Sequence, residues 1–194
     1  MSGVDKHLVL TGPSGSGKST IVGYVLTGFP FRFCISHTTR MPREDEEDGV
    51  DYFFTTKEVF EEMIRNDEII EYVNYNGNYY GTSVSQIDAD EDRLLLDLEY
   101  KGVLHCKEKY PGFVVVYIDC KKEIACERLN ARMNGKKRDE IEGRMRLYDE
   151  FGSIKDKCDY IIDNSNSLED SKRRIADIIC KEFGLHPRNS ELTQ

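Results

Sequence analysis

Gly12-Pro13-Ser14-Gly15-Ser16-Gly17-Lys18-Ser19 follows the apolar run His7–Thr11 and opens a segment, Lys18 to Leu26, with helical character. The stretch fits G-x-x-x-x-G-K-[ST], a phosphate loop between a strand and a helix. Its glycines let backbone N–H groups wrap a phosphate without Cβ clashes. The helix N-terminus adds partial positive charge. Lys18 is placed to bridge the β and γ phosphates of a nucleoside triphosphate, and the Ser19 hydroxyl to ligate Mg²⁺. Without a ligand the same stretch would be a Gly/Ser turn, a reading disfavoured by the full motif in its strand–helix context.

Working outward, Phe31–Ser36, Arg93–Leu98, Phe113–Cys120 and Tyr160–Ile162 are short apolar runs, suited to strands buried on both faces. Helical patterns lie at Gly102–Lys109, Lys121–Met133, Asp139–Lys157 and Ser167–Phe183. The last opens on a capping-box-like Ser167-x-x-Asp170. This alternation predicts an α/β fold, a three-layer parallel sheet core with helices on both faces. Leu94-Leu95-Leu96-Asp97 ends a strand on an acid, where a Mg²⁺-coordinating carboxylate or an ordinary strand end would sit.

Two segments break the alternation. Residues 37–90 hold an acidic loop, Tyr52-Phe-Phe-Thr-Thr, a helix at Lys57–Asn66, and a Tyr/Asn/Gly-rich Glu68–Ser83 that reads as an antiparallel hairpin. Residues 128–148 are strongly charged around Gly135-Lys-Lys-Arg and read as a helical lid. One domain of 194 residues is expected, with core 1–36, 91–127 and 149–194, an inserted subdomain 37–90, and lid 128–148. The tail after Gly184 is expected to be loose.

A chain this long buries roughly 70% of its unfolded surface. Lys+Arg total 27 and Asp+Glu 36, a net charge of −9, whereas a generic nucleic-acid or anionic-membrane binder is usually basic. An anionic ligand must therefore be met by a local cluster. No apolar run approaches a membrane span, and Met1–Asp5 lacks a signal pattern. The six cysteines contain no C-x-x-C pair and read as reduced thiols of a cytoplasmic protein.

Ser36-His-Thr-Thr-Arg40-Met-Pro-Arg43 sets two arginines three apart among hydroxyls, a set suited to a phosphate dianion, although a solvated basic loop has the same look. Five of the 11 tyrosines lie between 52 and 80, available to a phosphate, a base or a hairpin core.

These blocks, with Gly49-Val-Asp51-Tyr52-Phe-Phe and Glu71 ahead of Gly77-Asn-Tyr-Tyr80-Gly-Thr82, resemble the guanylate kinases of the nucleoside monophosphate kinase group, almost end to end. The resemblance implies phosphorylation of GMP to GDP by ATP with Mg²⁺. It implies ATP binding by Gly12, Pro13, Ser14, Gly15, Ser16, Gly17, Lys18, Ser19, Thr20, Arg128 and Asn164. Arg40, Arg43, Tyr52 and Tyr80 would hold the GMP phosphate, and Ser36, Glu71, Thr82, Asp97 and Glu99 complete the GMP set. Lys18, Arg40, Arg132 and Arg144 would be catalytic, Ser19 and Asp97 would serve the metal, and Arg146, which has no counterpart, would face solvent. One carboxylate can accept both N1–H and N2–H₂ of guanine, a pairing adenine cannot supply, and such a mismatch discriminates by roughly 10⁴.

The chain departs from the family pattern in Asp97-Leu-Glu99-Tyr-Lys101-Gly102, where Asp-x-Asp-x-Gln-Gly is usual. It also departs at Asp45, and in a lid one residue longer and more basic, Arg132-Met-Asn-Gly-Lys-Lys-Arg. The expected protein is a monomer that meets ATP and GMP, with dGMP use open, and neither nucleic acid nor membrane. Two alternatives stand beside it: a non-catalytic scaffold domain, and a related kinase with another acceptor.

Overall fold

Leu8–Thr11 (β1) is apolar throughout and wholly buried, which requires a neighbour on each edge and a layer on each face. A computed structural model describes residues 6–75, 77–88, 93–132 and 138–188, and supplies both. The five-stranded sheet has the order β2-β7-β1-β8-β9, all parallel, from Arg32–Phe33 (β2), Leu94–Asp97 (β7), Val114–Asp119 (β8) and Tyr160–Asp163 (β9). Alternate residues face opposite ways along each strand. Leu8, Leu10, Leu95, Val114, Val116 and Ile118 pack with Ile21 and Val25 of α1 (Lys18–Gly28) and with Ile175 and Ile179 of α7 (Leu168–Phe183). Val9, Leu94, Leu96, Val115 and Tyr117 pack on the other side with Val103 and Cys106 of α4 (Tyr100–Lys109) and with Phe151. The core is the expected three-layer α/β arrangement, and it carries the phosphate loop on the carboxyl end of β1, where ligands of such sheets bind.

A second sheet, order β4-β3-β6-β5, lies within the insertion. Ile69–Tyr75 (β5) and Asn78–Ser83 (β6) form the predicted antiparallel hairpin. His37–Thr38 (β3) pairs with β6 antiparallel and with Phe53–Phe54 (β4) in parallel. The helix α2 (Lys57–Arg65) starts on Thr56, whose hydroxyl accepts from Val59 N–H, and a short α3 (Ser85–Asp88) leads back toward β7.

Three expectations need correction. Phe31–Ser36 is not one strand, because the chain leaves the large sheet after Cys34 and enters the small one at His37. Asp139–Lys157 is not one helix. α6 (Arg138–Gly152) ends where Ser153 turns its hydroxyl onto Glu150 O at 2.6 Å, and a 3₁₀ turn follows at Lys155–Lys157 so that Ile154 can be buried. The tail is tied down at least to Arg188, whose N–H donates to Gly28 O at 2.8 Å while Leu185 packs on the core. Met133–Lys137, on which the altered lid rests, residues 189–194, and Met1–Asp5 lie outside the described residues. α5 (Lys122–Arg132) packs against α6.

Candidate active site

The phosphate loop ends on Gly17, the N-cap of α1, at φ 90°, a left-handed conformation that favours glycine. A Cβ there would also stand 2.3 Å from Asn164 Nδ2. No side chain caps this helix and no acid lies in its first turn, so its leading N–H groups remain available to an anion. Ser16 Oγ is buried without a hydrogen-bond partner. Ser19 and Thr20 are exposed on the first turn.

Lys18 donates to Asp97 at the end of neighbouring β7. Burial works against its ammonium, but the Asp97 carboxylate, helped by Glu99, holds the lysine above its ordinary range. Glu99 precedes α4, and burial raises its carboxyl while Lys18 and Arg144 pull it down. Glu71 on β5 is 8% exposed. Its Oε1 accepts from the Thr82 hydroxyl at 3.3 Å, and its Oε2 is buried with no partner. Burial first, then the Glu99 and Asp97 charges, push this carboxyl up to about 8. The α4 backbone comes this close to Glu71 only because residue 102 is glycine, where a Cβ would lie 2.3 Å from Glu71 Cγ.

On the small sheet, the Arg40 guanidinium lies 5.5 Å from the Tyr52 ring centre and 5.9 Å from that of Phe54. Tyr52 and Tyr80 meet edge to face at 6.0 Å. Arg40 Nη2 donates to Glu46 Oε1 at 2.8 Å, and Arg43 N–H to Glu46 Oε2 at 2.9 Å. The Arg43 guanidinium stands at the rim, 3.6 Å from the same acid. Ser36 is partly buried and its C=O accepts from Phe53 N–H.

Behind the loop, Arg128 is held firmly. Its guanidinium donates to Asn164 O at 3.0 Å and Ser16 O at 3.4 Å, and reaches Gly15 O and Cys120 Sγ at 3.5 Å. Asn164 Nδ2 donates to Ser16 O at 2.8 Å, while its buried Oδ1 has no partner. Gly17, Thr20, Arg128, Asn164 and Leu168 line a cleft here. Arg144 on α6 lies within electrostatic reach of Glu99. Arg132 ends α5 and is exposed, as is Arg146 on α6.

The expected residues thus gather around Lys18 and around Arg40, with Glu71 and Thr82 on the small sheet within electrostatic reach of Asp97 and Glu99 on the core side. Arg132, at the end of α5, is exposed, as are Ser19, Thr20 and Arg43. Glu46 was not legible: it sits in an acidic run, Glu44-Asp45-Glu46-Glu47-Asp48, where charge alone does not single out the residue that turns inward. Its spacing of three from Arg43, a common ion-pair distance in a turn, was the available signal.

The guanylate kinase family model matches residues 4–182. The chain is 35% identical over 183 residues to a guanylate kinase of Bacillus cereus, covering 90% of this chain and 87% of that one. It is 35% identical over 177 residues to a guanylate kinase of Fusobacterium nucleatum, covering 88% and 94%. The crystal structure of guanylate kinase from Anaplasma phagocytophilum superposes with a TM-score of 0.70 at 27% identity, covering 91% of this chain and 85% of that one. The family model spans most of the chain, and curated relatives at 35% identity are covered over most of both lengths, so the chain belongs to the guanylate kinase family.

Proposed function

We propose that this chain transfers the γ-phosphoryl group of ATP to the phosphate of GMP, giving ADP and GDP. Family membership supports the reaction; the assignment of roles to residues is our reading of the geometry. An oxygen of the GMP phosphate bonds to the γ phosphorus as the bond to the β–γ bridging oxygen breaks, and the electron pair leaves with ADP. The protein supplies position and charge rather than covalent chemistry.

The ATP phosphates lie on Gly12–Thr20, with Lys18 turning from Asp97 to the transferring group. The adenine takes the cleft beside Arg128 and Asn164, whose orphaned Oδ1 suits an exocyclic amine. Arg40, Arg43, Tyr52 and Tyr80 hold the GMP phosphate, and Ser36, Glu71, Thr82, Asp97 and Glu99 meet the rest of GMP. Arg132 and Arg144 neutralise charge during transfer, once 128–148 closes as a lid on core 1–36, 91–127 and 149–194 and on subdomain 37–90. Ser19 and Asp97 form an oxygen-only donor pair, and no cluster of three or more His, Cys, Asp or Glu suited to a metal occurs among the described residues. That fits Mg²⁺ carried mainly by phosphate and water, touched by one or two protein oxygens. When bound, Mg²⁺ neutralises phosphate charge.

The observation that carries this reading is Glu71, a buried carboxyl with an empty acceptor beside the Thr82 hydroxyl. Guanine presents two adjacent donors, which a carboxylate accepts together. Calorimetric titration with GMP tests it. Glu71→Gln should weaken binding at least tenfold, because an amide meets a guanine donor with its own N–H₂; undiminished affinity would move base recognition elsewhere.

The chain is read as a cytoplasmic monomer acting on ATP and GMP, without nucleic acid or membrane. Its cysteines are free, which suits a reducing compartment, and no described helix is long and apolar enough to cross a membrane.

A further inference from the structure

Ile35 is the point at which the chain leaves one sheet for the other. Cys34 N–H still donates to Leu95 O in the large sheet at 2.9 Å, and Ser36 O already accepts from Phe53 N–H in the small one at 2.9 Å. Between them, both backbone groups of Ile35 are met by a single side chain. Ile35 N–H donates to Gln86 Oε1 at 2.8 Å, and Ile35 O accepts from Gln86 Nε2 at 2.6 Å. A primary amide offers an acceptor and a donor side by side, as a peptide does, so Gln86 stands in for a neighbouring strand where neither sheet provides one.

Gln86 belongs to α3, on the return crossing from β6 toward β7. Its amide therefore clips the outbound crossing to the return crossing. Two further contacts fix it: Nε2 reaches Ser83 Oγ at 3.4 Å, and its backbone oxygen accepts from Arg32 at 3.3 Å. The next residue, Ile87, is anchored in the core. Gln86 itself is only partly buried and touches none of the candidate substrate residues in the contacts above.

We infer that Gln86 is a positioning residue that sets the angle between the GMP-binding sheet and the nucleotide-binding core. It acts through Ile35 on Ser36, one residue along, and on the strand that leads to Arg40. This rests on the assignment of GMP to the small sheet. In-line transfer is sensitive to such an angle, since a misplacement of about 1 Å can cost about 10²-fold in rate. The ATP loop hangs from β1 and α1 and does not depend on the clip.

The test compares wild type with Gln86→Met, which keeps length and bulk but no amide, and with Gln86→Ala. Steady-state kinetics, ATP-analogue affinity and hydrogen exchange at the Ile35 amide are read together. The expected result is a KM for GMP raised about tenfold, the scale of a lost hydrogen-bond pair, with kcat lowered, ATP-analogue affinity unchanged and Ile35 exchange accelerated. Gln86→Glu should be no better, because it sets a carboxylate oxygen against Ile35 O. Wild-type GMP kinetics and exchange in Gln86→Met overturn the inference. So does a parallel loss of ATP and GMP affinity, or loss of the fold in both the Met and Ala variants, either of which makes the amide a general structural brace. A wild-type chain inactive on GMP would instead defeat the functional reading, and Ile35 exchange in the Met variant would still judge the clip.

Discussion

In the proposed GMP contact, the Glu71 carboxyl links substrate binding to pH. With its pKa raised to about 8 from 4.5, the folded chain binds more protons than the unfolded one between those values, so this group's contribution to stability falls as pH rises through that window. In the proposed base contact, guanine needs the carboxylate. GMP binding between pH 6.5 and 8 should therefore release a proton, and the affinity should climb with pH by up to about tenfold per unit. Calorimetry in two buffers of different ionisation enthalpy measures that release, and Glu71→Gln should abolish it; a variant that still releases the proton would place the titration on another group. Lys18→Ala should lower turnover by about 10²–10³, the loss typical of one preorganised charge-stabilising donor, with the circular dichroism spectrum retained. Glu46→Gln should raise the KM for GMP by about tenfold, since one carboxylate orients Arg40 and the Arg43 backbone together, and should spare the KM for ATP. A shift in both constants would show a wider disturbance.

At the scale of elements, α6 carries Arg144 toward Glu99 and Arg146 to the surface. Arg144→Ala should cost about 10³–10⁵ in turnover while GMP affinity measured without ATP stays within a few-fold, as befits a contact made in the transition state. Arg146→Ala serves as the mild control, and equal effects from the two would mean that α6 is turned differently during transfer. Ser167 caps α7 by accepting from Asp170 N–H at 3.1 Å, so Ser167→Ala should lower stability by about 1 kcal/mol, read from the urea midpoint. That cap was legible because it is local: a hydroxyl three residues ahead of an acid, before an apolar stripe. β1, β7, β8 and the β5–β6 hairpin were legible for the same reason, since their periods and turn residues are written in consecutive positions. The division of Phe31–Ser36 was not, because a run of apolar residues does not record a change of partner sheet. Nor was the inward turn of Glu46, whose partners Arg40 and Arg43 are near in sequence but which its run of like charges does not single out, or the approach of Gly102 to Glu71, which is set by segments far apart in sequence.

The whole molecule carries a net charge of −9 and binds two polyanions in the proposed reaction. The fold resolves this by concentration rather than by balance. Lys18, Arg40 and Arg128 are each held by acids or carbonyls of the chain itself, Asp97, Glu46, and Asn164 O with Ser16 O. Lys18 and Arg40 are each paired with an acid, and in the proposed reaction the phosphates would replace those anionic partners. The two sheets divide the labour: the parallel one carries the phosphate loop, and the smaller one the arginine pair and Glu71. The measurement that tests this account most directly is ADP formation from Mg-ATP across a panel of nucleoside monophosphates. The account predicts rapid ADP formation with GMP and rates lower by roughly 10⁴ with AMP, because the guanine donors facing Glu71 have no counterpart in adenine. Equal rates with AMP and GMP, or no GMP-dependent ADP at all, would contradict it.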